Sequence, residues 1–526
     1  MFFEYILLGI TACLIYKLFL AKARKPKWWK EHGIPEIDPS PNFSSFLFEK
    51  KNPAEKDDFV YKAMGTKSFC GVLESGQPVI FLKDLNLIKK VFIKDFDHFS
   101  ERPELLPIAN KSLIFNKILG LLTGEQWKHV RTSLTPTFTT GKVRRMMEHF
   151  NSVGQEWFEM LSAKTTASPT GSAKVDITSC VNQYAVEVIS KSVFGIQAGV
   201  MKDSNSLFGK KAADLTSMGT GITGLIKMVL VSKFPKLCSI LGIEVLDTEA
   251  LKFLSDILRH NLEARLRGEL SNNDLQQLLV EARKGELKAM GSDELDDFEK
   301  ESQLQNKGNS QSSMYLTDEI IVAQGISFFF GGISTITSFL TFLAYALAVH
   351  QDIQEKLRKE VSQIVKEDGT FDYDELAKLK YLDMVIYEVL RKYPGGFRVE
   401  RLCTKTYHDP ESGLFVPKNT VVVIPALAIH NDKDYYENPE ELDPEHFSPE
   451  KKAERSPYSF LAFGSGPRNC IGMRFALIES KSAIAKLVHS FNIEPTEKTP
   501  IPMKARYVGI FPIPPNDLEL KLTPVK

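Results

Sequence analysis

The spacing of apolar residues predicts a mainly helical chain with small sheets. Helical periodicity dominates from about Gly124 to Val349, and residues 374–394 form another helical pattern that stops at Pro394. Residues 68–84 alternate apolar and polar positions around Ser75 and Gly76, as a β-hairpin does. Residues 419–430 read as a buried strand and residues 505–522 as a closing hairpin. The predicted fold class is therefore α+β, mainly α.

The first twenty residues are apolar apart from Glu4 and Lys17. Bases without an acid follow this run, namely Lys22, Arg24, Lys25, Lys27 and Lys30. We expect a transmembrane anchor at 1–20, with its basic flank in the cytoplasm and with Trp28 and Trp29 at the membrane interface. Residues 21–41 would then be a basic, Pro-containing hinge before one large domain at 42–526.

A cleaved signal peptide is the rival interpretation of this beginning, because the uncharged run from Tyr5 to Tyr16 has the length of an h-region. The bases follow the run instead of preceding it, and there is no A-x-A-like cleavage site. Both features favour the anchor.

A second apolar stretch, residues 320–351, has no formal charge over 32 residues. Asp318 and Glu319 precede it, no basic cluster is near, and its interior contains several Ser, Thr and Gln residues. We expect a central helix of a soluble domain instead of a second membrane span.

Residues 221–246 mix lysines with aliphatics and fit either a helix on a membrane surface or a buried helix pair. Residues 285–313 are charged and polar, which predicts a mobile connection.

Composition narrows the class of protein. The 526 residues include 66 basic and 66 acidic side chains, 43% hydrophobic residues and 25% charged residues. These proportions exclude a mostly disordered chain, and the zero net charge gives no support for nucleic-acid binding. The six cysteines form no C-x-x-C pair, which argues against a structural zinc site or a disulfide framework.

One cysteine stands in a context that suggests chemistry. Gly464, Gly466 and Pro467 predict an irregular loop before Cys470, and a helical pattern begins directly after it. A thiol at a helix N-terminus is favoured as thiolate by the helix dipole, and Gly472 leaves room for a bulky group. Such a sulfur is either a nucleophile or a soft metal ligand. A nucleophile would need a base from a remote part of the chain.

The pattern Phe463-x-x-Gly466-x-Arg468-x-Cys470-x-Gly472 resembles the haem-binding signature of the cytochromes P-450, with every signature position filled. The resemblance covers nearly the whole chain and implies the cytochrome P-450 fold. It implies haem b (iron protoporphyrin IX) with Cys470 as the axial thiolate, and 42–526 as a single catalytic haem-binding domain. Phe463 would shield the sulfur and Arg468 would meet a haem propionate.

Glu388 and Arg391 are spaced i, i+3 on a helical pattern with apolar neighbours, so we expect a buried pair. The pair is similar to the structural E-x-x-R motif of the same family. The family's third member comes from a P-E-R-F segment, where this sequence has Pro444-Glu445-His446-Phe447. We expect His446 to complete the cluster with a different pH sensitivity.

Trp127 and Arg131 lie one helical turn apart, which alone indicates packing beside a surface charge. In the family context they resemble the pair that holds a haem propionate, and Arg401 matches another propionate-binding position. Their cationic and N–H groups would neutralise the haem carboxylates.

The central helix departs from the family pattern. Where the family has [A/G]-G-x-[D/E]-T, this chain has Gly331-Gly332-Ile333-Ser334-Thr335, so the acid is missing. The glycines would leave space for oxygen and substrate, Thr335 would hold a water, and proton delivery would use water or another group in place of a carboxylate. The alternative is that the Ser334 and Thr335 hydroxyls only bond back to carbonyls of their own helix.

The runs around Cys470, Gln324 and Arg401 are most similar to the clan of family 3, thromboxane synthase and nematode family 13. The resemblance implies a monooxygenase of the endoplasmic reticulum membrane, single-pass, with its catalytic domain in the cytoplasm. Electrons would come from NADPH through cytochrome P-450 reductase, with cytochrome b5 as a further candidate partner. A lipophilic substrate would be reached from the membrane lipid and meet Phe330, Gly331, Gly396 and Phe397.

Two alternatives remain open at the level of sequence. The first is a haem-thiolate isomerase or dehydratase that acts on lipid peroxides without a reductase, and the missing acid motivates it. The second is a membrane-bound haem- or lipid-binding protein whose catalysis has lapsed.

Overall fold

A computed structural model describes residues 29, 32–38, 52–74, 77–103, 114–203, 206–216, 221–286 and 315–525. The predicted anchor at 1–20, most of the hinge at 21–41 and residues 287–313 of the predicted connection lie outside the described residues.

Helices make up most of the described chain. The α-helices, in chain order, are α1 Pro53–Ala63, α2 Leu85–Lys89, α3 Gly124–Leu134, α4 Thr140–Arg145, α5 Met147–Thr166, α6 Ile177–Ile189, α7 Leu207–Thr216, α8 Gly221–Lys233, α9 Pro235–Ile240, α10 Thr248–Leu266, α11 Leu275–Lys284, α12 Asp318–Val349, α13 Gln351–Val361, α14 Tyr373–Ala377, α15 Lys380–Lys392, α16 Ala426–His430, α17 Pro449–Glu454 and α18 Met473–Ser490.

The strands are short and form four small sheets within the described residues. They are β1 Phe69–Glu74, β2 Gln77–Leu82, β3 Ala173–Asp176, β4 Val399–Leu402, β5 Tyr407–Asp409, β6 Leu414–Val416, β7 Val421–Ile424, β8 Phe491–Pro495, β9 Arg506–Val508, β10 Phe511–Ile513 and β11 Glu519–Pro524. This mainly helical architecture with small sheets confirms the predicted class.

The chain divides into two compact units. The smaller unit takes its described residues from Met1–Pro103, Phe397–Tyr435 and Ser456–Leu461. Its main sheet has the order β1-β2-β7-β4, in which β2 and β7 are parallel and the other neighbours are antiparallel. The predicted hairpin is confirmed, with Phe69 opposite Leu82 and Glu74 opposite Gln77. The expectation of one domain over 42–526 stays a prediction.

Trp29 belongs to the core of the smaller unit. The residue is 1% exposed, and a Cβ at Gly71 of β1 would come within 2.5 Å of its ring. The nearby backbone extends the sheet, because Ile37 N–H donates to the Gly71 oxygen at 2.9 Å and Gly71 N–H donates to the Pro35 oxygen at 2.9 Å. The expectation of Trp29 at a membrane interface is therefore wrong. A tryptophan beside bases has the same sequence signature whether its ring meets lipid or a glycine of a strand.

The larger unit takes its described residues from Glu104–Gly396, Tyr436–Arg455 and Ala462–Lys526. Its central element is α12, which contacts α6, α10, α18 and β8. Among the described residues α12 is the one helix long and apolar enough to cross a membrane, and two thirds of its most apolar window is buried inside the protein. This burial supports the interpretation of α12 as a core helix.

Residues 374–394 form two helices instead of one. Leu379 is extended, with ψ 104°, and separates α14 from α15. The backbone N–H groups of Tyr381 and Leu382 donate to the Glu360 carboxylate of α13, at 2.8 and 2.9 Å. This carboxylate takes the place of helical acceptors at the start of α15, so a tertiary contact stabilises the break.

The predicted closing hairpin is confirmed only in its first part. The strands β9 and β10 pair antiparallel, whereas β11 lies between β3 and β8 in another sheet. Sequence alternation could not distinguish a strand that pairs with its neighbour from one that pairs with distant segments.

The helices α8 and α9 are not a buried pair. Val231, Cys238 and Val245 form a small apolar cluster of their own. Among the described residues here, seven large apolar side chains face solvent, and Ile240 is 82% exposed. We call these exposed residues the α8–α9 patch: Ile226, Val229, Leu230, Phe234, Leu237, Ile240 and Leu241.

Candidate functional site

The loop before α18 presents Cys470 at its surface. Gly464 and Gly466 have φ values of +69° and +75°, a region that favours glycine, and they let the chain reverse. Cys470 N–H donates to the Phe463 oxygen at 3.0 Å, and Asn469 N–H donates to the Gly466 oxygen at 2.9 Å. Residues 465–469 are buried while Cys470 is exposed. As predicted, a helix follows, and α18 begins three residues later.

The exposure of Cys470 distinguishes it from the other cysteines that the structure describes. Cys70, Cys180, Cys238 and Cys403 are all buried. Burial raises the pKa of Cys70 to about 12 and the pKa values of Cys180 and Cys403 to about 11, so these groups remain thiols. Cys13 lies outside the described residues. A reactive or ligating sulfur is therefore best sought at Cys470.

Open space adjoins two glycines of the larger unit. A Cβ at Gly472, two residues after Cys470, would meet no atom within 4 Å, and the same holds for Gly331 in α12. Gly331 and Thr335 are exposed although much of α12 is buried. Gly332 has a different role from the predicted one, because a Cβ there would come within 2.5 Å of Ile189. It permits close packing between α12 and α6 and does not leave space for a ligand.

The predicted haem contacts of the larger unit lie together. The Arg468 guanidinium is buried, lies 3.8 Å from the centroid of the Trp127 ring, and donates to the Leu122 oxygen at 3.0 Å. Arg131 donates to the backbone and side-chain oxygens of Asn469, at 3.1 and 2.6 Å. Two guanidinium groups and an indole are thus positioned next to the residue that precedes Cys470.

Asn469 was not predicted from the sequence. Its side chain accepts from Arg131 while its backbone precedes Cys470, so it links α3 to the cysteine loop. A lone asparagine in a Gly-rich loop gives no signal of this contact, because the partner is 338 residues away along the chain.

The two hydroxyls of the central helix behave differently. The Thr335 hydroxyl donates to the Gly331 backbone oxygen at 2.5 Å, as the plain helical alternative predicts. The Ser334 side chain is half-buried and forms no hydrogen bond with another described residue. The expectation that Ser334 bonds back to its helix is therefore wrong. The Thr335 oxygen keeps its lone pairs as acceptors while its own proton is engaged.

The Glu388–Arg391 pair is buried, as predicted, with both side chains 0% exposed. The contact is bidentate, with N–O distances of 2.8 and 2.7 Å. Arg391 also donates to the backbone oxygens of Pro439 and Glu441, and Glu388 accepts from Asp443 N–H at 2.9 Å. His446 completes the cluster, with Nδ1 3.2 Å from Oε1 of Glu388.

Arg401 lies in β4 of the smaller unit. It is 1% exposed, donates to the Glu400 backbone oxygen at 2.9 Å, and its guanidinium is 4.8 Å from the centroid of the Phe92 ring. Phe397, a predicted pocket residue, is buried in the same unit, whereas Gly396 is half-buried in the larger one. Phe330 is half-buried and meets Phe115 edge-on, with ring centroids 5.6 Å apart.

A surface cleft of about 650 Å³ in the larger unit involves none of the predicted site residues. Its lining is polar and includes His149, Lys191 and Asn272. We therefore assign the candidate site to the surroundings of Cys470 and not to this cleft.

Comparison with known proteins agrees with the arrangement at Cys470. The family model described as "Cytochrome P450" matches residues 38–522. The chain belongs to the cytochrome P450 family. It is therefore an oxidoreductase, a monooxygenase. Family membership implies a haem iron ligated by a cysteine thiolate.

Relatives match this P450 over almost its whole length. The chain is 33% identical to "Cytochrome P450 9e2" of Blattella germanica, over 92% of this chain and 91% of the relative. It is 31% identical to "Cytochrome P450 3A29" of Sus scrofa over 98% and 96%. It is 32% identical to "Probable cytochrome P450 6a23" of Drosophila melanogaster over 98% and 99%. These relatives agree with the predicted resemblance to the clan of family 3.

The residues of this P450 fit a haem. Cys470 offers an exposed sulfur, and the space beside Gly331 and Gly472 would be reduced by any larger residue. Arg468 and Arg131 supply the cationic groups that two propionates require. These residues thus offer a thiolate for the haem iron and cations for the haem propionates.

Proposed function

We propose that this P450 inserts one oxygen atom of O2 into a small lipophilic substrate, with Cys470 as the axial ligand of its haem. The observation that carries the proposal is the exposure of Cys470 at the end of the buried run 465–469, three residues before α18 begins. The positive end of the helix dipole favours the thiolate there. When bound, the haem supplies the chemistry of O2 activation.

Cationic and N–H groups of the chain would hold the cofactor. Arg468 and Trp127 are already in mutual contact, and Arg131 is fixed by Asn469. Arg401 would supply a third guanidinium. Because Arg468 and Arg401 are buried, each would gain more from pairing with a carboxylate than an exposed arginine gains. Phe463 would shield the sulfur of Cys470.

Thr335 and Ser334 of α12 are the proposed hydroxyls beside the path of proton delivery. The Thr335 hydroxyl donates to Gly331, so its oxygen can accept a hydrogen bond from a water. Ser334 has a hydroxyl where the family has a carboxylate, and a hydroxyl does not exchange protons readily at neutral pH. A chain of waters would therefore deliver protons here.

Phe330, Gly331 and Gly396 are the proposed substrate contacts. Gly331 has open space beside it, and the Phe330 ring is held edge-on by Phe115. Phe397 is 3% exposed, which leaves little of its surface for a substrate. Replacing Phe397 by Ala tests its membership directly, because unchanged substrate-binding spectra and products would remove it from the pocket.

The proposed location is the endoplasmic reticulum membrane, with residues 1–20 as a single-pass anchor and the catalytic domain in the cytoplasm. The α8–α9 patch supports a second contact with the bilayer, because its exposed apolar side chains alternate with Lys227, Lys233 and Lys236. Such a surface suits the boundary of acyl chains and anionic headgroups. The proposed electron source is NADPH through cytochrome P-450 reductase, with cytochrome b5 as a second candidate donor.

Turnover with and without the reductase tests this proposal. We expect product from a panel of lipophilic substrates only when NADPH, reductase and O2 are all present, and none from Cys470→Ser. Cys403→Ser is a matched control, because the Cys403 thiol donates to the Lys405 backbone oxygen and a serine hydroxyl can donate to it as well. Conversion of a lipid hydroperoxide without NADPH, and no turnover with reductase, would overturn the monooxygenase in favour of an isomerase or dehydratase.

A further inference from the structure

Arg398, the residue before β4, is held by three carboxylates of the smaller unit. Its Nε donates to Asp57 at 2.7 Å, and one amino nitrogen donates to Asp57 and to Glu74. The other amino nitrogen donates to Glu74 at 3.0 Å and to Glu400 at 3.2 Å. All five N–H groups of the guanidinium therefore have carboxylate partners.

The cluster is buried, so its parts depend on one another. The Arg398 side chain is 9% exposed and the Asp57 side chain is 3% exposed. The guanidinium also lies 5.4 Å from the ring centroid of Phe81 and 5.3 Å from that of Phe397. Removing one acceptor would leave a buried cation with an unmet donor, which is far more costly than losing a surface ion pair.

The cluster engages one of the two faces of β4. Side chains alternate between the two faces of a strand, so Arg398 and Glu400 lie on one face and Arg401 on the other. The first face is tied to α1 by Asp57 and to β1 by Glu74. On the opposite face Arg401 lies over Phe92, while β4 keeps its register with β7 through Arg401 opposite Val422.

We propose that Asp57 and Glu74 are positioning residues that act through Arg398 to fix Arg401 for haem binding. The inference rests on the proposed function, in which Arg401 meets a haem propionate. Asp57 and Glu74 touch neither haem nor substrate in this account. Arg398 and Asp57 are 341 positions apart along the chain, so the contact is a tertiary one.

Haem release from the purified full-length holoprotein tests the proposal without reference to activity. Transfer of haem to excess apomyoglobin can be followed by absorbance in wild type, Asp57→Asn and Glu74→Gln. We expect haem release to be about tenfold faster in Asp57→Asn than in wild type. This change in rate corresponds to about 1.4 kcal/mol. Asp58→Asn is the matched control, because Asp58 is the next residue of α1 and forms only an exposed pair with Lys62. It should release haem at the wild-type rate.

A double-mutant cycle separates positioning from general destabilisation. If Asp57 acts through Arg401, Asp57→Asn should add little to the release rate of Arg401→Lys. The proposal is overturned if Asp57→Asn multiplies the release rate equally in the wild-type and Arg401→Lys backgrounds, or if it has no effect. If Asp57→Asn does not fold, Glu74→Gln takes its place, because the Glu74 side chain is 35% exposed and supplies two of the five acceptors.

Failure of the proposed function would look different. If Cys470→Ser kept the thiolate-type spectrum of the wild type, the haem assignment itself would be wrong. If Cys470→Ser lost that spectrum but Asp57→Asn and Glu74→Gln released haem at the wild-type rate, only the positioning role would be wrong.

Discussion

The Nδ1 atom of His446 lies 3.2 Å from Oε1 of Glu388, and its Nε2 atom lies 2.6 Å from the backbone oxygen of Glu437. A carbonyl oxygen and an ionised carboxylate both only accept hydrogen bonds, so each ring nitrogen of His446 faces an acceptor. Burial alone would raise the pKa of Glu388, but hydrogen bonds from Arg391 and His446 hold it below its ordinary value. His446 thus joins Arg391 at the Glu388 carboxylate.

Replacing His446 should show what its contact with Glu388 contributes to stability. We expect His446→Leu to lower the free energy of unfolding by roughly 1–3 kcal/mol, because the Glu388 carboxylate loses a hydrogen-bond partner in a buried site. His446→Arg, which restores the family's P-E-R-F segment, should stay within about 1 kcal/mol of wild type. Urea unfolding at neutral pH measures both. His408→Leu, at an exposed histidine, is the control, and equal stability of wild type and His446→Leu would contradict the assignment.

Glu479 is a buried carboxyl in α18 with no hydrogen-bond partner among the described residues. Burial raises its pKa well above the ordinary value. Because this pKa is higher in the folded state than in the unfolded state, the Glu479 carboxyl contributes fully to the free energy of unfolding only below the unfolded-state pKa. That contribution is lost as the pH rises through the folded-state pKa. The neighbouring Tyr184 hydroxyl is also buried without a partner among these residues.

We expect Glu479→Gln to remove this pH dependence, because the amide has the shape of the neutral acid and cannot ionise. As the pH rises from about 5 to 9, the free energy of unfolding of the wild type should fall relative to that of the variant by roughly 1–3 kcal/mol. Denaturant unfolding across this range measures it. Glu159→Gln, at an exposed residue of α5, should give a flat difference. A flat difference for Glu479→Gln as well would show that the carboxyl is hydrated or paired.

Local patterns predicted the elements that depend on local sequence. The β1–β2 hairpin, the core helix α12 and the helix after Cys470 all followed from residue spacing and turn residues. The Glu388–Arg391 pair followed from an i, i+3 spacing within an apolar pattern. Each of these features is fixed by residues within about one helical turn or one hairpin of each other.

Features that depend on distant contacts were missed. The break at Leu379 requires the Glu360 carboxylate, the burial of Trp29 requires Gly71, and Arg398 requires Asp57 from α1. No pattern along the chain encodes these partners, because tertiary packing brings them together. The sequence also does not distinguish the Ser334 and Thr335 hydroxyls, since both residues suit a bond back to the helix and only Thr335 makes one.

Ser334 offers a direct test of proton delivery. Restoring an acid with Ser334→Glu should increase the product formed per NADPH consumed by about twofold or more, because a carboxylate exchanges protons with water faster than a hydroxyl does. Product and NADPH are measured in the same reconstituted reaction, with Ser334→Gln as the uncharged control of similar size. Equal coupling in Ser334→Glu and wild type would show that water already supplies protons efficiently.

The α8–α9 patch should lie in the bilayer of reconstituted vesicles. With the full chain in vesicles that contain brominated lipid, we expect the fluorescence added by Ile240→Trp to be quenched, because Ile240 is the most exposed member of the patch. Leu266→Trp, at an exposed apolar residue of α10 outside the patch, is the comparison and should be quenched less. Equal quenching at both positions would argue against a specific contact of the patch with lipid.

The absorption spectrum of the reduced, carbon-monoxide-bound protein reports whether Cys470 is the thiolate ligand of the haem. The wild type should show the Soret band of a thiolate-ligated haem, and Cys403→Ser should show the same band. Cys470→Ser should lose that band. A thiolate-type band that persists in Cys470→Ser, or that is missing from haem-loaded wild type, would contradict the account.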